Sequence, residues 1–425
     1  MKKSNALLIG IILLILISLI SVVSVVHGII AIAALVALEI LSRKVVYSLR
    51  EHFPWIITPL DEMPKLDPKA VAKFAKQGFD AELGWVRKPL TKKAELGKYG
   101  TTSYYINKKG ARANPQHEKL PSKISCYGDS FAFCRQVNDD ETWEWHLSEI
   151  TKSNVLNFAV GNYGLDQSLL RLKREYPQNK TKMVIMGVVP STIVRILDVW
   201  KHYNEFGNTF GFKPRFVLRQ GRLRLERNVI DNEDKLLHYE KYLADIKRRD
   251  YFYKSKFRQE MLEFPYFLSI LADASRNIPL LFLVAKDMLS KHNKQEVYKP
   301  PMKVIMKVNL KLRYKLYHTT DAVKLMEALV REFCTYASRH KFRPVFLMMP
   351  QKDDVLFIRE KKDWYYASFL QKISSQLKTI DLTKDLINRK DLDELYSDDN
   401  KYGGHYSKRG NKLVAQAIAR ELWNA

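Results

Sequence analysis

Ile124-Ser125-Cys126-Tyr127-Gly128-Asp129-Ser130-Phe131 is the stretch that decides how this chain is read. A short apolar run stops at Gly-Asp-Ser. A buried parallel strand delivers a side chain to its carboxyl end in this way, and open α/β sheets place their chemistry there. Gly128 is expected to permit a tight turn. Asp129 is expected to bond the turn's own backbone. Ser130 is expected to open the next helix, where free N–H groups favour a developing negative charge.

Outward from this stretch the pattern alternates. Val155-Leu156-Asn157-Phe158 reads as a second strand, and 183–189 as a third. The third is an unbroken apolar run, as in a parallel strand covered on both faces. Further strands are expected at 344–350 and 379–382. Helices are expected at 141–151, with Trp143, Leu147 and Ile150 on one face, and after Gly164, with Leu165, Leu169 and Leu172. Others are expected at 321–340 with Thr320 as N-cap, at 361–374 and at 411–423. The alternation predicts a three-layer α/β/α domain with a mostly parallel sheet.

The far end of the chain supplies the chemistry that would complement Ser130. Asp398-Asp399-Asn400-Lys401-Tyr402-Gly403-Gly404-His405-Tyr406-Ser407 precedes the last apolar helix. An early serine and a late Asp/His pair, each at a loop-to-helix junction, follow the order of a hydrolytic triad on such a sheet. A serine hydroxyl is a poor nucleophile until a base takes its proton, and histidine is the usual base near neutral pH. A carboxylate behind it holds the tautomer. Ser130 is the candidate nucleophile, His405 the base and Asp399 the orienter, with Asp398 or a backbone carbonyl as alternatives to Asp399. Gly404 suggests a close backbone approach that lets the imidazole reach toward Ser130.

Taken together, these motifs resemble the SGNH (GDSL) hydrolase family in its membrane-anchored bacterial form, over residues 80–425 with a long insertion. The resemblance rests on Gly128-Asp129-Ser130-Phe131, on the block from Asn157 to Gln167, and on Gly404-His405-Tyr406-Ser407 with Gly410-Asn411. Ala81-Glu82-Leu83-Gly84-Trp85 and Ile106-Asn107-Lys108-Lys109-Gly110-Ala111-Arg112 resemble the lead-in of such proteins. It implies oxyanion donors at the N–H of Ser130 and in the second block, where spacing from Asn157 selects Asn162 with Gly161 beside it. The sequence departs from the family twice. The usual aspartate position, three before the histidine, holds Tyr402. The third block, Gly187-Val188-Val189-Pro190-Ser191-Thr192, has no asparagine, and loss of an oxyanion donor costs about 100- to 1,000-fold in rate. The Asn162 side chain is a candidate substitute. Arg195 reads either as a surface arginine or as a holder of an anionic substrate group.

The chain has 425 residues, a 46% hydrophobic content and a net charge of +25. That length holds one large domain with insertions, or two domains. The charge favours an acidic membrane surface or an acidic polymer. No nucleic-acid motif accompanies it, so nucleic acid is not an expected partner. Cys126, Cys134 and Cys334 fall in apolar patterns and read as buried thiols. No Cys/His spacing suggests zinc; neither a metal nor a cofactor is expected.

A largely apolar tract from 6 to 41 follows Lys2 and Lys3. One membrane crossing needs about 20 residues, so the tract reads as one long tilted helix or as a hairpin turning at His27-Gly28. The expected organisation is a membrane anchor over 1–50, a lead-in over 51–117 and a hydrolase-like domain over 118–425, interrupted by an insertion at 198–320. Within the lead-in, 101–107 reads as a strand turning at Lys108-Lys109-Gly110. Within the insertion, Gln220-Gly221 reads as a hairpin turn. Residues 201–320 carry 25 Lys or Arg against 13 Asp or Glu. They read as a solvated lid or partner surface, or as a basic wall beside the site. The resemblance implies a catalytic domain outside the cytoplasmic membrane. The expected function is a serine esterase for acyl, chiefly O-acetyl, esters of a cell-envelope glycan, with an anionic glycan as a candidate substrate. An O-acyltransferase using the same serine and a non-catalytic glycan-binding or scaffold protein are the alternatives.

Overall fold

The computed structural model describes residues 3–22, 25–97, 99–290, 299–397 and 404–423. The chain divides into two compact units. One comprises Met1–Lys65 with Tyr253–Val308, the other Leu66–Phe252 with Asn309–Ala425. Residues 51–65 thus group with the N-terminal helices, residues 66–117 group with the sheet, and the insertion is shared between the units.

The second unit is built on five parallel strands: β1 Ser122–Gly128, β2 Asn154–Asn157, β3 Met183–Val188, β4 Arg343–Met348 and β5 Lys378–Asp381. Their order across the sheet is β5-β4-β3-β1-β2. Every residue of β3 is buried, which is why its sequence shows no polar alternation. Successive side chains point to opposite faces. Ile124, Cys126, Ile185, Val345 and Leu347 pack with Trp143, Leu147, Val414 and Ile418 on one face. Phe346, between two of these, meets Phe369 on the other, with ring centroids 6.0 Å apart. Trp143–Thr151 and Lys408–Trp423 cover the first face; Leu165–Glu175, Thr320–His340 and Ala367–Ser374 belong to the second layer. In this strand order the chain reverses direction across the sheet between β1 and β3. The crevice outside their carboxyl ends is where doubly wound sheets bind ligands.

The hairpin is as expected. Arg215–Arg219 pairs with Arg222–Glu226, and Gln220 and Gly221 both have positive φ, as a two-residue primed turn requires. Gly100–Ile106 pairs with Thr91–Gly97, and Asn107 Oδ1 accepts from the N–H groups of Lys109 and Ala111 in the turn that follows. Cys126 and Cys134 are buried; Cys334 is only half-buried.

Four local expectations are corrected. The helix expected at 361–374 is two helices, Lys352–Lys361 and Ala367–Ser374, with Lys362 left-handed at the break. Thr320 is the first residue of its helix, so it is not the cap. No turn occurs at His27-Gly28, because the helix Val25–His52 runs through both. No helix begins at Ser130: the chain from 130 to 136 makes successive turns, with Phe133 N–H bonded to Asp129 O and Arg135 N–H to Ser130 O.

In the first unit, Lys3–Val22 and Val25–His52 are helical. Val25–His52 is long and apolar enough to cross a membrane. The acidic residue in its apolar stretch, Glu39, is held: the carboxylate accepts the N–H groups of Tyr266 (2.7 Å) and Phe267 (3.0 Å). These are free donors at the start of Tyr266–Ala272. That helix and Ala274–Leu289 form a pair bent by 113° which together also passes the length and hydropathy test for a span. Val46, Leu49, Phe53, Leu280, Leu281 and Met302 close the core of this unit.

Candidate active site

Ser130 sits two residues beyond β1. Gly128 is needed here for close approach rather than for a positive φ: a Cβ at Gly128 would lie 1.9 Å from the carbonyl oxygen of Gly187 on β3. Asp129 is fully buried and fixes the turn after the strand. Its Oδ1 accepts Phe131 N–H at 2.8 Å, and its Oδ2 accepts Val189 N–H at 2.9 Å and lies 3.3 Å from Arg195 Nη1. Burial pushes the Asp129 carboxyl above its ordinary range, against Arg195 and those N–H groups. Arg195 is therefore neither a surface arginine nor a free anion holder. It is buried under the turn that carries Ser130, with Glu205 3.5 Å away on its other side. The third block, which lacks its asparagine, serves the same turn through the Val189 N–H.

His405 lies in a two-residue ribbon, His405–Tyr406 paired with Tyr396–Ser397. The hydroxyls of Tyr396 and Tyr406 both donate to Pro350 O, at 2.8 and 3.0 Å, which ties the ribbon to the end of β4. Behind it, Asn411 donates to the carbonyls of Tyr406 and Ser407, and a Cβ at Gly410 would meet Leu395 O at 2.2 Å. Gly404 adopts φ +70°. The Gly-His and Gly-Asn motifs thus fix the histidine against the last helix.

The structure brings His405 to the segment that follows Ser130. Its ring packs on Phe131, with centroids 4.8 Å apart. Gln136, at the end of the same run of turns, receives three hydrogen bonds on Oε1: from His405 N–H (3.1 Å), from Ser397 Oγ (3.1 Å) and at His405 Nδ1 (2.9 Å). A backbone N–H can only donate, so the oxygen of the Gln136 amide is the atom facing His405. Nδ1 then carries the proton and Nε2 keeps its lone pair. Burial holds the imidazole well below its usual pKa, and Arg135, Arg195 and Arg87 add to that. The imidazole is thus held neutral, and its Nε2 has no hydrogen-bond partner among the described residues. Asp398 and Asp399 lie outside the described residues; the partner of Nδ1 among the described residues is Gln136.

Gly161 faces Ser130, with Asn162 next to it in the chain. A Cβ built on Gly161 would be 3.8 Å from Ser130 Cβ. Among the described residues, the N–H groups of Ser130, Gly161 and Asn162 have no acceptor, and Ser130 Oγ has no hydrogen-bond partner. Asn162 is left-handed, with φ +68°. The N–H groups that the sequence selected are therefore unspent on the crevice side of the sheet.

The two lead-in motifs turn out to hold these loops, a role that the sequence does not announce. Trp85 Nε1 donates to Gly161 O at 2.9 Å, and Tyr163 Oη donates to Trp85 O. Arg112 is buried and spends its guanidinium on the run after Ser130. It donates to the carbonyls of Phe133 (2.7 Å), Cys134 (2.6 Å) and Val137 (2.7 Å), and to Asp139 (2.7 Å). Its own N–H bonds Asn157 O. Gln136, Arg112 and Trp85 were missed as site residues. The only sequence signal was the presence of Trp85 and Arg112 in short motifs with no assigned task.

The chain is similar in fold to lipolytic proteins of known structure. A member of the lipolytic protein G-D-S-L family from Veillonella parvula aligns at 10% identity and TM-score 0.28, over 71% of this chain and 98% of that one. The lipase/acylhydrolase from Enterococcus faecalis aligns at 12% and 0.30, over 71% and 95%. The psychrotrophic esterase EstA from Pseudoalteromonas aligns at 10% and 0.30, over 71% and 97%. No protein-family model matches the chain. No curated protein matches it either.

Proposed function

We propose that the protein is a serine esterase of the SGNH type, in which Ser130 attacks an acyl ester and His405 Nε2 takes its proton. The observation that carries this reading is the placement of His405 on the Phe131–Gln136 segment that directly follows Ser130, with Nδ1 bonded, and with Nε2 and the Ser130 hydroxyl unengaged among the described residues. The tetrahedral oxyanion would be met by the N–H groups of Ser130, Gly161 and Asn162. Collapse expels the alcohol, which takes the proton from His405; water then attacks the acyl-serine with His405 again as base. A neutral amide behind the histidine orients it without a formal charge, as asparagine does in cysteine proteases.

The substrate in this reading is an O-acetyl ester on a cell-envelope glycan. The protein is held at the cytoplasmic membrane by Val25–His52, with the sheet unit on the outer side. The bent pair Tyr266–Ala272 and Ala274–Leu289 joins the anchor. Phe264, Ile278, Phe282 and Leu289 leave an apolar surface there that water does not favour. A fluorophosphonate should label Ser130, located by mass spectrometry, with no label in Ser130→Ala and a slower reaction in His405→Ala. Labelling elsewhere, or none, removes the esterase reading.

A further inference from the structure

On the far side of the Ser130 neighbour Gly161 a cavity of about 470 Å³ opens, lined by Gly161, Asn162 and the lead-in segment. It lies within the size range of small-molecule sites. Five basic side chains line it, Lys73, Arg87, Lys88, Lys93 and Arg135, against one carboxylate, Glu95. Glu95 is shared: Arg135 Nε bonds both of its oxygens, at 3.2 and 3.0 Å, while Arg87 Nη2 lies 3.9 Å away. Arg87 stacks over Phe133 and Tyr104, 4.0 and 4.5 Å from their centroids, and its buried Nε has no hydrogen-bond acceptor among the described residues. Burial, with Arg135, Arg112 and Arg171, pulls this guanidinium down to about 9 against the pull of Glu95. It is a cation short of counter-charge. A single carbon placed at Gly161 would lie 3.6 Å from Arg87 Nη2 and 3.8 Å from Ser130 Cβ. The guanidinium and the serine thus border the same glycine.

Aromatic side chains form much of the remaining wall. Trp85, Phe74 and Phe210 line the cavity, and the last two stack at 5.2 Å. Its aliphatic lining is confined to Ala70, Val86 and Val160. An acyl-chain tunnel would want long aliphatic side chains; flat aromatic faces suit the C–H face of a sugar ring. The basic wall comes from residues 73–95 and Arg135, not from the basic insertion.

We propose that this cavity seats an anionic sugar ring of the substrate, its carboxylate or phosphate held by Arg87 and Arg135, with the ester carried on the neighbouring position at Ser130. The choice of substrate rests on the esterase reading, but the binding site stands apart from it and is tested apart from it. Full-length Ser130→Ala protein in neutral detergent is titrated by calorimetry with digalacturonic acid, glucose 6-phosphate and cellobiose. At least one of the two anions should bind, more weakly as salt rises from 0.05 to 0.2 M, because added ions screen the attraction. Whichever binds tighter identifies the group as carboxylate or phosphate. Arg87→Gln and the more exposed Lys93→Gln should each weaken that anion about fivefold, near 1 kcal/mol. Cellobiose binding as well as the anions, or no binding by any of the three, overturns the proposal. Failure of Ser130 labelling with anion binding intact would overturn only the esterase reading.

Discussion

Gln136 Oε1 accepts at His405 Nδ1 over 2.9 Å, and the two residues are 269 apart in sequence. The amide is buried and left-handed, at φ +67°, a conformation in which a non-glycine residue persists only if its surroundings hold it. Gln136→Ala should lower kcat about 10- to 100-fold with KM little changed, because an orienting partner of a general base is lost. Gln136→Glu should act differently: a carboxylate favours the imidazolium, so the acidic limb of the pH profile should move upward. If both substitutions leave kcat and the pH profile unaltered, Nδ1 is oriented by another group, and Asp399 becomes the first choice.

The pH profile of the parent follows from the environment of His405. Burial and three arginines lower its pKa well below 6.5, so the base stays neutral at pH values where an exposed histidine is half protonated. The acidic limb of kcat/KM should therefore lie below the usual histidine range, and activity at pH 6 should match that at pH 7. A midpoint at or above 6.5 would show that His405 is solvated in the working enzyme.

Arg112 should matter to stability as well as to rate. It satisfies three carbonyls and one carboxylate in the run that carries Ser130 and Gln136. Arg112→Ala strands those acceptors in the interior and should cost roughly 3–5 kcal/mol, read as a lowered midpoint in chemical unfolding. Arg112→Lys should recover part of the stability but not the geometry, since an ammonium cannot reach four acceptors in one plane. A melting curve of Arg112→Ala that overlays the parent would contradict this role.

Glu144 gives a second pH test of the fold. Burial raises its carboxyl to about 8, while in the unfolded chain it would titrate near 4.3. Between those values the folded state holds a proton that the unfolded state has released. Stability from this group is therefore full below about pH 4 and is lost as pH rises through 8. Glu144→Gln should keep the bonds to Asn157 and Cys134 and flatten the decline in melting temperature between pH 5 and 8. An unchanged slope would mean that Glu144 is ionised in the native state.

The sheet was legible in the sequence because parallel strands buried on both faces leave unbroken apolar runs, as at 183–188, and because Gly-Asp-Ser and Gly-Gly-His interrupt the pattern where such sheets expose their loops. The segment after Ser130 was not legible. Its turns are set by the Asp129 carboxylate and by Arg112, both long-range devices, and local propensity cannot tell them from a helix start. The Gln136–His405 contact is hidden for the same reason. A glutamine in a turn carries no pattern, and only the ribbon of Ser397 with His405 brings the histidine back to it. The lead-in motifs were visible as motifs, but their task appears only once Trp85 is seen on Gly161 and Arg112 on the turn carbonyls.

Gly161 offers the most economical separation of site from scaffold. Its backbone needs no positive φ, and an added methyl would meet Arg87 Nη2 at 3.6 Å, Ser130 Cβ at 3.8 Å and Arg135 Cδ at 3.9 Å, all ordinary contacts. Gly161→Ala should therefore fold with a melting temperature close to that of the parent. The methyl nevertheless occupies the space between Ser130 and the basic cavity, where the proposed ester would lie with its oxygen on the N–H groups that are unpaired among the described residues. Hydrolysis should fall at least about tenfold, more than the effect of an ordinary surface substitution, which stays within about ±0.5 kcal/mol. The loss should be larger for a bulky sugar ester than for a small aryl acetate, because the small ester can shift within the crevice. Equal losses on both would place the effect in the oxyanion donors alone. Full activity on both would mean that the substrate approaches Ser130 from another side, and the cavity beside Arg87 would lose its part in the reaction.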